Sequence, residues 1–228
     1  MSNPTTFDQF ASEYDATVQA AIGASGESVA YFAALKARLA RAEAPASTRR
    51  VLDFGCGIGN TTRALVAAMP GAKIVGSDPS ADSIAMARRR SNGSAEFARS
   101  DETRLPFVDA SFDMVVAACV FHHIEQSRQQ HWAAEIARVL RPGGRFVLFE
   151  HNPLNPLTQR VVRNVPFDAG VVLLGRTESQ RLLESAGLRT RRSKYYFFFP
   201  RFLAALRVLE PLLGWVPMGG QYYVVGER

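Results

Sequence analysis

Cysteine is scarce in this chain: Cys56 and Cys119 are the whole complement in 228 residues. Two thiols allow at most one bridge, and their spacing matches no C-x-x-C metal or redox pair. We therefore expect reduced thiols and no bound metal. No run approaches the roughly eighteen uninterrupted apolar residues that a spanning helix requires. The opening MSNPTTFDQF has neither the charged nor the apolar region of a secretory signal. These two absences lead to the expectation of a cytoplasmic, soluble protein. Internal repeats and low-complexity tracts are missing as well, which excludes solenoids and arrays and leaves an ordinary packed fold.

What is present is a globular composition, 47% hydrophobic and 21% charged, in a length suited to one domain with appended pieces. The net charge of +6 comes mostly from arginine, in short runs at Arg49–Arg50, Arg88–Arg90 and Arg189–Arg192. Runs scattered in this way read as solvated faces rather than as one basic stripe, so no nucleic-acid partner is expected. Strand-like and helix-like segments alternate. After a helical region, with Glu27–Arg41 its clearest helix, RRVLDF is a short apolar run suited to a buried parallel strand. TTRALVAAM reads as helix and AKIVGSD as strand. Ser80 is placed to cap the helix ADSIAMARRR, and AEFARSD, FDMVVAACV and GGRFVLFEH continue the strands. Alternation of this kind implies a doubly wound α/β sheet, mostly parallel and covered on both faces. The last third differs: SKYYFFFP and QYYVVGER are aromatic-rich strands without an ordinary crossover helix between them, which suits an antiparallel final pair.

The first strand runs into Gly55, Gly57 and Gly59. Glycine there permits positive φ and lets backbone N–H groups approach a ligand. A dinucleotide fingerprint needs a third glycine where Asn60 stands, and no Gly-Lys-Ser/Thr follows for a Walker loop. Asp53, at the end of the strand, would repel a pyrophosphate but suits a ligand's ammonium group. Asp78, about twenty residues beyond the glycines at the end of the second strand, is placed for the hydroxyls of a ribose. A nucleoside with a cationic amino-acid end meets these demands, and S-adenosylmethionine is such a molecule. A nicotinamide-dependent oxidoreductase and a non-catalytic cofactor-binding protein are the competing readings.

VLDFGCGIGN, VGSDPS, ARSDETRLPF, FDMVVAACVFHHI and VLRPGGRFVLFE, preceded by FDQFASEYD, form an ordered set. That set resembles the class I S-adenosylmethionine-dependent methyltransferases of the small-molecule kind, similar to the type 11 and quinone-biosynthesis groups. The resemblance implies a Rossmann-like seven-stranded sheet, mostly parallel with an antiparallel last strand, and S-adenosylmethionine as cofactor. It implies Asp53, Gly55, Cys56, Gly57 and Asn60 around the methionine moiety, and Asp78 with Pro79 and Ser80 at the ribose. Asp101 with Glu102 would meet the adenine, Ala118 would complete the wall, and Tyr14 would close over the cofactor. It also implies a helical cap over residues 1–48, a methyltransferase domain over 49–228, and substrate lids at about 152–176 and 200–220.

Methyl transfer needs alignment above all, with a base only where the acceptor must lose a proton. Groups beyond the fourth and fifth strands face the methyl position: His122 and His123, then Glu150 and His151. A carboxylate beside an imidazole raises its basicity, so Glu150 is expected to act on His151. His151 or His123 is the expected acceptor of a hydroxyl proton; the competing reading makes these residues structural hydrogen-bonding groups. No N/D-P-P-Y/F follows the fourth strand, unlike enzymes that methylate base amino groups. The stretch Asn152–Arg176 is longer than an ordinary strand-to-helix loop. With YYFFFPRFLAALRVLEPLLGWVP it forms an apolar, aromatic wall edged by arginines. Such a wall fits an enclosed small molecule, a lipid-linked acceptor met by peripheral contact with a membrane, or simple packing on the sheet edge.

Overall fold

A computed structural model of the chain describes residues 14–101, 103–168 and 170–228, and of Tyr14 only the backbone. Seven strands form one sheet: β1 (Arg50–Phe54), β2 (Lys73–Asp78), β3 (Glu96–Arg99), β4 (Phe112–Ala118), β5 (Leu140–His151), β6 (Arg189–Tyr196) and β7 (Gln221–Glu227). Their order is β3-β2-β1-β4-β5-β7-β6. The pairings from β3 across to β5 are parallel, whereas β7 runs antiparallel to both neighbours. This is the Rossmann-like doubly wound sheet anticipated above, with the antiparallel final pair.

The central strands read as continuous apolar runs because helices cover both faces. On one face Leu52, Val115 and Phe146 pack with Trp132 and Ile136 of the helix Gln126–Val139 and Leu183 of the helix Arg176–Ser185. On the other, Val51, Met114 and Val147 pack with Leu65 of the helix Asn60–Ala68 and with Ala37 and Ala40 of the helix Val29–Glu43. Alternate strand residues thus serve opposite layers.

Two boundaries differ from expectation. β5 begins at Leu140, ahead of the R-P-G-G turn, because Leu140 pairs with Phe112 and the four following residues bulge out before Arg145 resumes pairing with Met114. β6 takes in the arginine run and ends before the three phenylalanines. It is the sheet edge, and Arg189 and Arg191 lie 2.9 and 3.4 Å from Glu227 of β7, charges that suit an exposed edge. Ser80 caps its helix as expected, its Oγ accepting from the Ser83 amide at 3.0 Å.

Strand order reverses between β1 and β4, whose carboxyl ends lie side by side, Phe54 opposite Ala117. Loops leaving such a point diverge and open a crevice.

Candidate active site

The glycine turn lies at that crevice. The Gly55 and Cys56 amides both donate to the Ser77 carbonyl, at 2.8 and 3.0 Å, so the turn hangs from the end of β2. Gly55, Gly57 and Gly59 all have positive φ, 69°, 51° and 84°. A Cβ on Gly55 would stand 2.6 Å from both methyls of Val120, whereas one on Gly57 would meet nothing within 4 Å. Gly57 therefore faces open space. Asp78 ties the turn to the next loop, accepting from the Gly57 and Ser80 amides at 2.9 Å each.

A cavity of about 890 Å³ starts here. Gly55, Cys56, Gly57, Asn60, Asp78, Pro79, Ser80 and Ala118 line it at one end. Asn60 is also tied to the first described helix, its Nδ2 donating to Asp15 at 2.7 Å. Asp53 does not reach the cavity. It is fully buried beneath the turn, accepts from Thr62 Oγ1 at 2.6 Å, and burial pushes its carboxyl up to about 7 despite that hydrogen bond. Strand alternation turns its side chain away from the crevice that its backbone borders. Asp101 is exposed and spends its carboxylate locally, Oδ1 accepting from the Thr103 and Arg104 amides. Those backbone bonds hold it below the usual carboxylate range. Glu102 and the Tyr14 side chain lie outside the described residues.

A lysine supplies what the turn's sequence did not announce. Lys36, on the buried face of the helix Val29–Glu43, lines the cavity and donates to Cys119 Sγ at 3.2 Å. The signal in the sequence is a lysine sharing a helical stripe with Ala33, Ala37 and Ala40. Cys119 itself, at φ 60°, follows β4. Burial opposes its ionisation, but the nearby His151 and Lys36 outweigh this and bring the thiol down to about 7.

Behind the cavity wall, Glu150 is completely buried and organises the turn after β4. Its Oε1 accepts from the Val120 and Phe121 amides at 3.1 and 2.8 Å, and its Oε2 lies 2.6 Å from His122 Nδ1. Glu150 thus serves His122 rather than the adjacent His151, since neighbours on a strand project to opposite faces. His122 Nε2 in turn lies 3.8 Å from Asp168. Burial works against a charged ring, yet the two carboxylates prevail and raise His122 to about 10. The two carboxylates therefore favour the protonated ring of His122.

His123 Nε2 lies 3.2 Å from Asp168 Oδ1. Burial is the larger influence there and lowers the ring's pKa, so the neutral imidazole donates Nε2–H to the carboxylate, while its Nδ1 is enclosed by protein. Asp168 is held well below the usual carboxylate range: burial opposes this, but the two imidazoles override it. It comes from the Pro166–Asp168 turn of the long segment after β5, and no motif marked it. His122, His123 and Asp168 also bring one ligating atom each within 4.8 Å of one another, a spacing a metal ion could use only by displacing the protons the rings share with Asp168. His151 lines the cavity with Nδ1 3.3 Å from the Gln221 amide nitrogen. The Gln221 oxygen accepts from the Tyr196 hydroxyl at 2.5 Å, which fixes the amide and leaves the His151 proton on Nε2.

The remaining wall is largely apolar, with Leu157, Val161, Phe167, Phe197, Phe198 and Phe202 among its residues. No helix among the described residues is long and apolar enough to cross a membrane.

Residues 51–144 match the methyltransferase-domain family. The chain is 39% identical over 123 residues to a demethylmenaquinone methyltransferase of Clavibacter sepedonicus, covering 53% of this chain and 49% of that protein. It is 37% identical over 117 residues to a fatty-acid O-methyltransferase of Mycolicibacterium smegmatis, covering 49% and 40%. The chain spans about half the length of the curated relatives it matches. A solved S-adenosylmethionine-dependent methyltransferase from Archaeoglobus fulgidus has the same fold, with a TM-score of 0.66 at 19% identity over 85% of this chain and 93% of that one.

Proposed function

We propose that this chain, a member of the class I S-adenosylmethionine-dependent methyltransferases, methylates a hydroxyl oxygen on a small, largely apolar acceptor. The observation that carries the reading is one cavity lined both by the glycine turn and by the His122–His123–Asp168 cluster, together with several aromatic side chains.

The residues present fit the cofactor. Gly57 offers backbone with open space before it, Asp78 lines the cavity at the end of β2, and the buried Lys36 ammonium complements a carboxylate. In this reading Lys36 and the turn hold the amino-acid end, Asp78 the ribose, and Pro79, Ser83 and Ser100 border the base. When bound, S-adenosylmethionine supplies a methyl group already activated as a sulfonium.

The chain's own task is then to place the acceptor and manage one proton. The His123–Asp168 pair lines the cavity and takes the hydroxyl proton, with Asp168 orienting the ring. His122, a buried cation braced by Glu150, steadies Asp168. The aromatic wall excludes water from the reacting oxygen. Relatives acting on a fatty acid and on demethylmenaquinone support an apolar acceptor.

Thermal stabilisation by S-adenosylhomocysteine tests the cofactor half, and a labelled-methyl screen over hydroxylated apolar compounds tests the acceptor half. Stabilisation by NADH in place of S-adenosylhomocysteine would overturn the assignment.

A further inference from the structure

The segment between β6 and β7 is arranged inside out. None of the residues of its two helical pieces, Arg201–Leu209 and Glu210–Leu213, is buried, although most are apolar. Phe202, Val208, Leu212 and Trp215 are 79%, 77%, 72% and 75% exposed. Two of its three charged side chains, Arg207 and Glu210, turn the other way. Arg207 pairs with Glu27 at 2.8 Å, lies over the Tyr31 ring and donates to the Phe199 carbonyl. Glu210 accepts from the Phe198 and Phe199 amides at 2.9 and 3.1 Å. The polar residues anchor the segment and the apolar ones face outward, the reverse of a helix that packs on a core in water.

The patch continues across the cavity mouth. Leu154 and Leu157, in and before the helix Pro156–Arg163, are exposed too. The two segments are stitched together, Asn155 Nδ2 donating to the Met218 carbonyl and Asn152 Nδ2 to the Gly219 carbonyl, each at 2.7 Å. Leu157 and Phe202 belong both to the patch and to the cavity lining. Arg160, Arg163 and Arg201 are exposed on the same two segments.

We propose that this rim is a docking face for the surface of an anionic phospholipid bilayer, from which an apolar acceptor enters the cavity. The inference rests on the cavity being the acceptor site. Three features select a bilayer as the occupant. The patch runs into the cavity through Leu157 and Phe202, so a protein seated there would cover the entrance, whereas acyl chains there feed it. Trp215 on the rim suits the headgroup level, where amphipathic rings concentrate. The arginines supply cations beside the apolar side chains, the pairing that holds monotopic helices on anionic membranes.

The test is co-sedimentation of the full chain with phosphatidylcholine vesicles with and without phosphatidylglycerol, alongside tryptophan emission. The two tryptophans separate cleanly, Trp132 being fully buried and Trp215 exposed, so a blue shift on vesicles reports Trp215. Binding should require the anionic lipid, weaken with salt, and fall at least about tenfold in the Val208→Ser, Leu212→Ser, Trp215→Ser triple variant. The Arg163→Gln, Arg201→Gln variant should lose the salt-sensitive part. Stabilisation by S-adenosylhomocysteine should be unchanged in both, which shows that they are folded. No binding to anionic vesicles at low salt, equal binding by the triple variant, or a dimer that the triple variant abolishes without vesicle binding would each overturn the proposal. Failure of S-adenosylhomocysteine to stabilise the unsubstituted chain would instead overturn the methyltransferase reading, and the vesicle result is read separately from it.

Discussion

The glycine turn and the acceptor rim meet in one cavity and are held by different means. The turn is pinned by backbone amides to the end of the neighbouring strand, over sequence separations of 21 and 22 positions and partly buried. The rim is held by side chains reaching over long separations, such as Asn152 to Gly219, 67 positions apart, and it presents apolar surface to its surroundings. A wall made from backbone and steric fit tolerates little change. A wall made from side-chain anchors can vary its outer surface, which is where a fold hosts different acceptors.

That contrast can be broken most forcefully at Gly55. Gly55→Ala puts a Cβ 2.6 Å from both Val120 methyls at a φ of 69°. We expect a loss of roughly 2–5 kcal/mol, seen as a fall in Tm, together with loss of stabilisation by S-adenosylhomocysteine. A variant of unchanged Tm would mean the turn is not sterically set. On the acceptor side, His123→Ala should lower kcat by about 10²–10⁴-fold while S-adenosylhomocysteine still stabilises the protein. Equal loss of cofactor binding would show that the two walls are not separable.

A pH series sharpens the comparison beneath the turn. Burial raises the Asp53 carboxyl to about 7, from about 3.9 in an unfolded chain. Its contribution to stability is therefore complete below about pH 4 and is lost as pH rises to about 7. Asp53→Asn should raise Tm more at pH 8 than at pH 5; a gain independent of pH would refute the buried, proton-holding assignment. Smaller still is the contrast between the thiols. Cys119, brought to about 7 and partly accessible, should react with iodoacetamide at least about tenfold faster than Cys56, whose thiol burial drives up. Cofactor should protect it, and equal rates would contradict the Lys36 contact. The mildest change is Gly57→Ala, with only its left-handed φ to oppose it, at about 1–2 kcal/mol.

Much of this was legible before any coordinates. Strand and helix periods marked the layers, and the glycines and Asp78 marked one end of the cavity. Asp53 and Asp101 have the residue type that the pattern demands, yet alternation along β1 and a local turn after β3 direct their side chains elsewhere. Glu150 stands next to His151 in sequence, yet its hydrogen bond goes to His122. Asp168 and Lys36 stand in no motif, because each acts through a contact between elements far apart in the chain.

By itself, then, the sequence determined the order of elements, the antiparallel close of the sheet and the position of the glycine turn. These follow from hydrophobic period and from backbone angles that glycine alone adopts cheaply. Tertiary structure alone decided which side chains meet: Glu150 with His122, Asp168 with His123, Lys36 with Cys119. It also decided that the most apolar segment of the last third faces outward. Burial and ionisation depend on what surrounds a group in space, and neighbours in space are not neighbours in sequence.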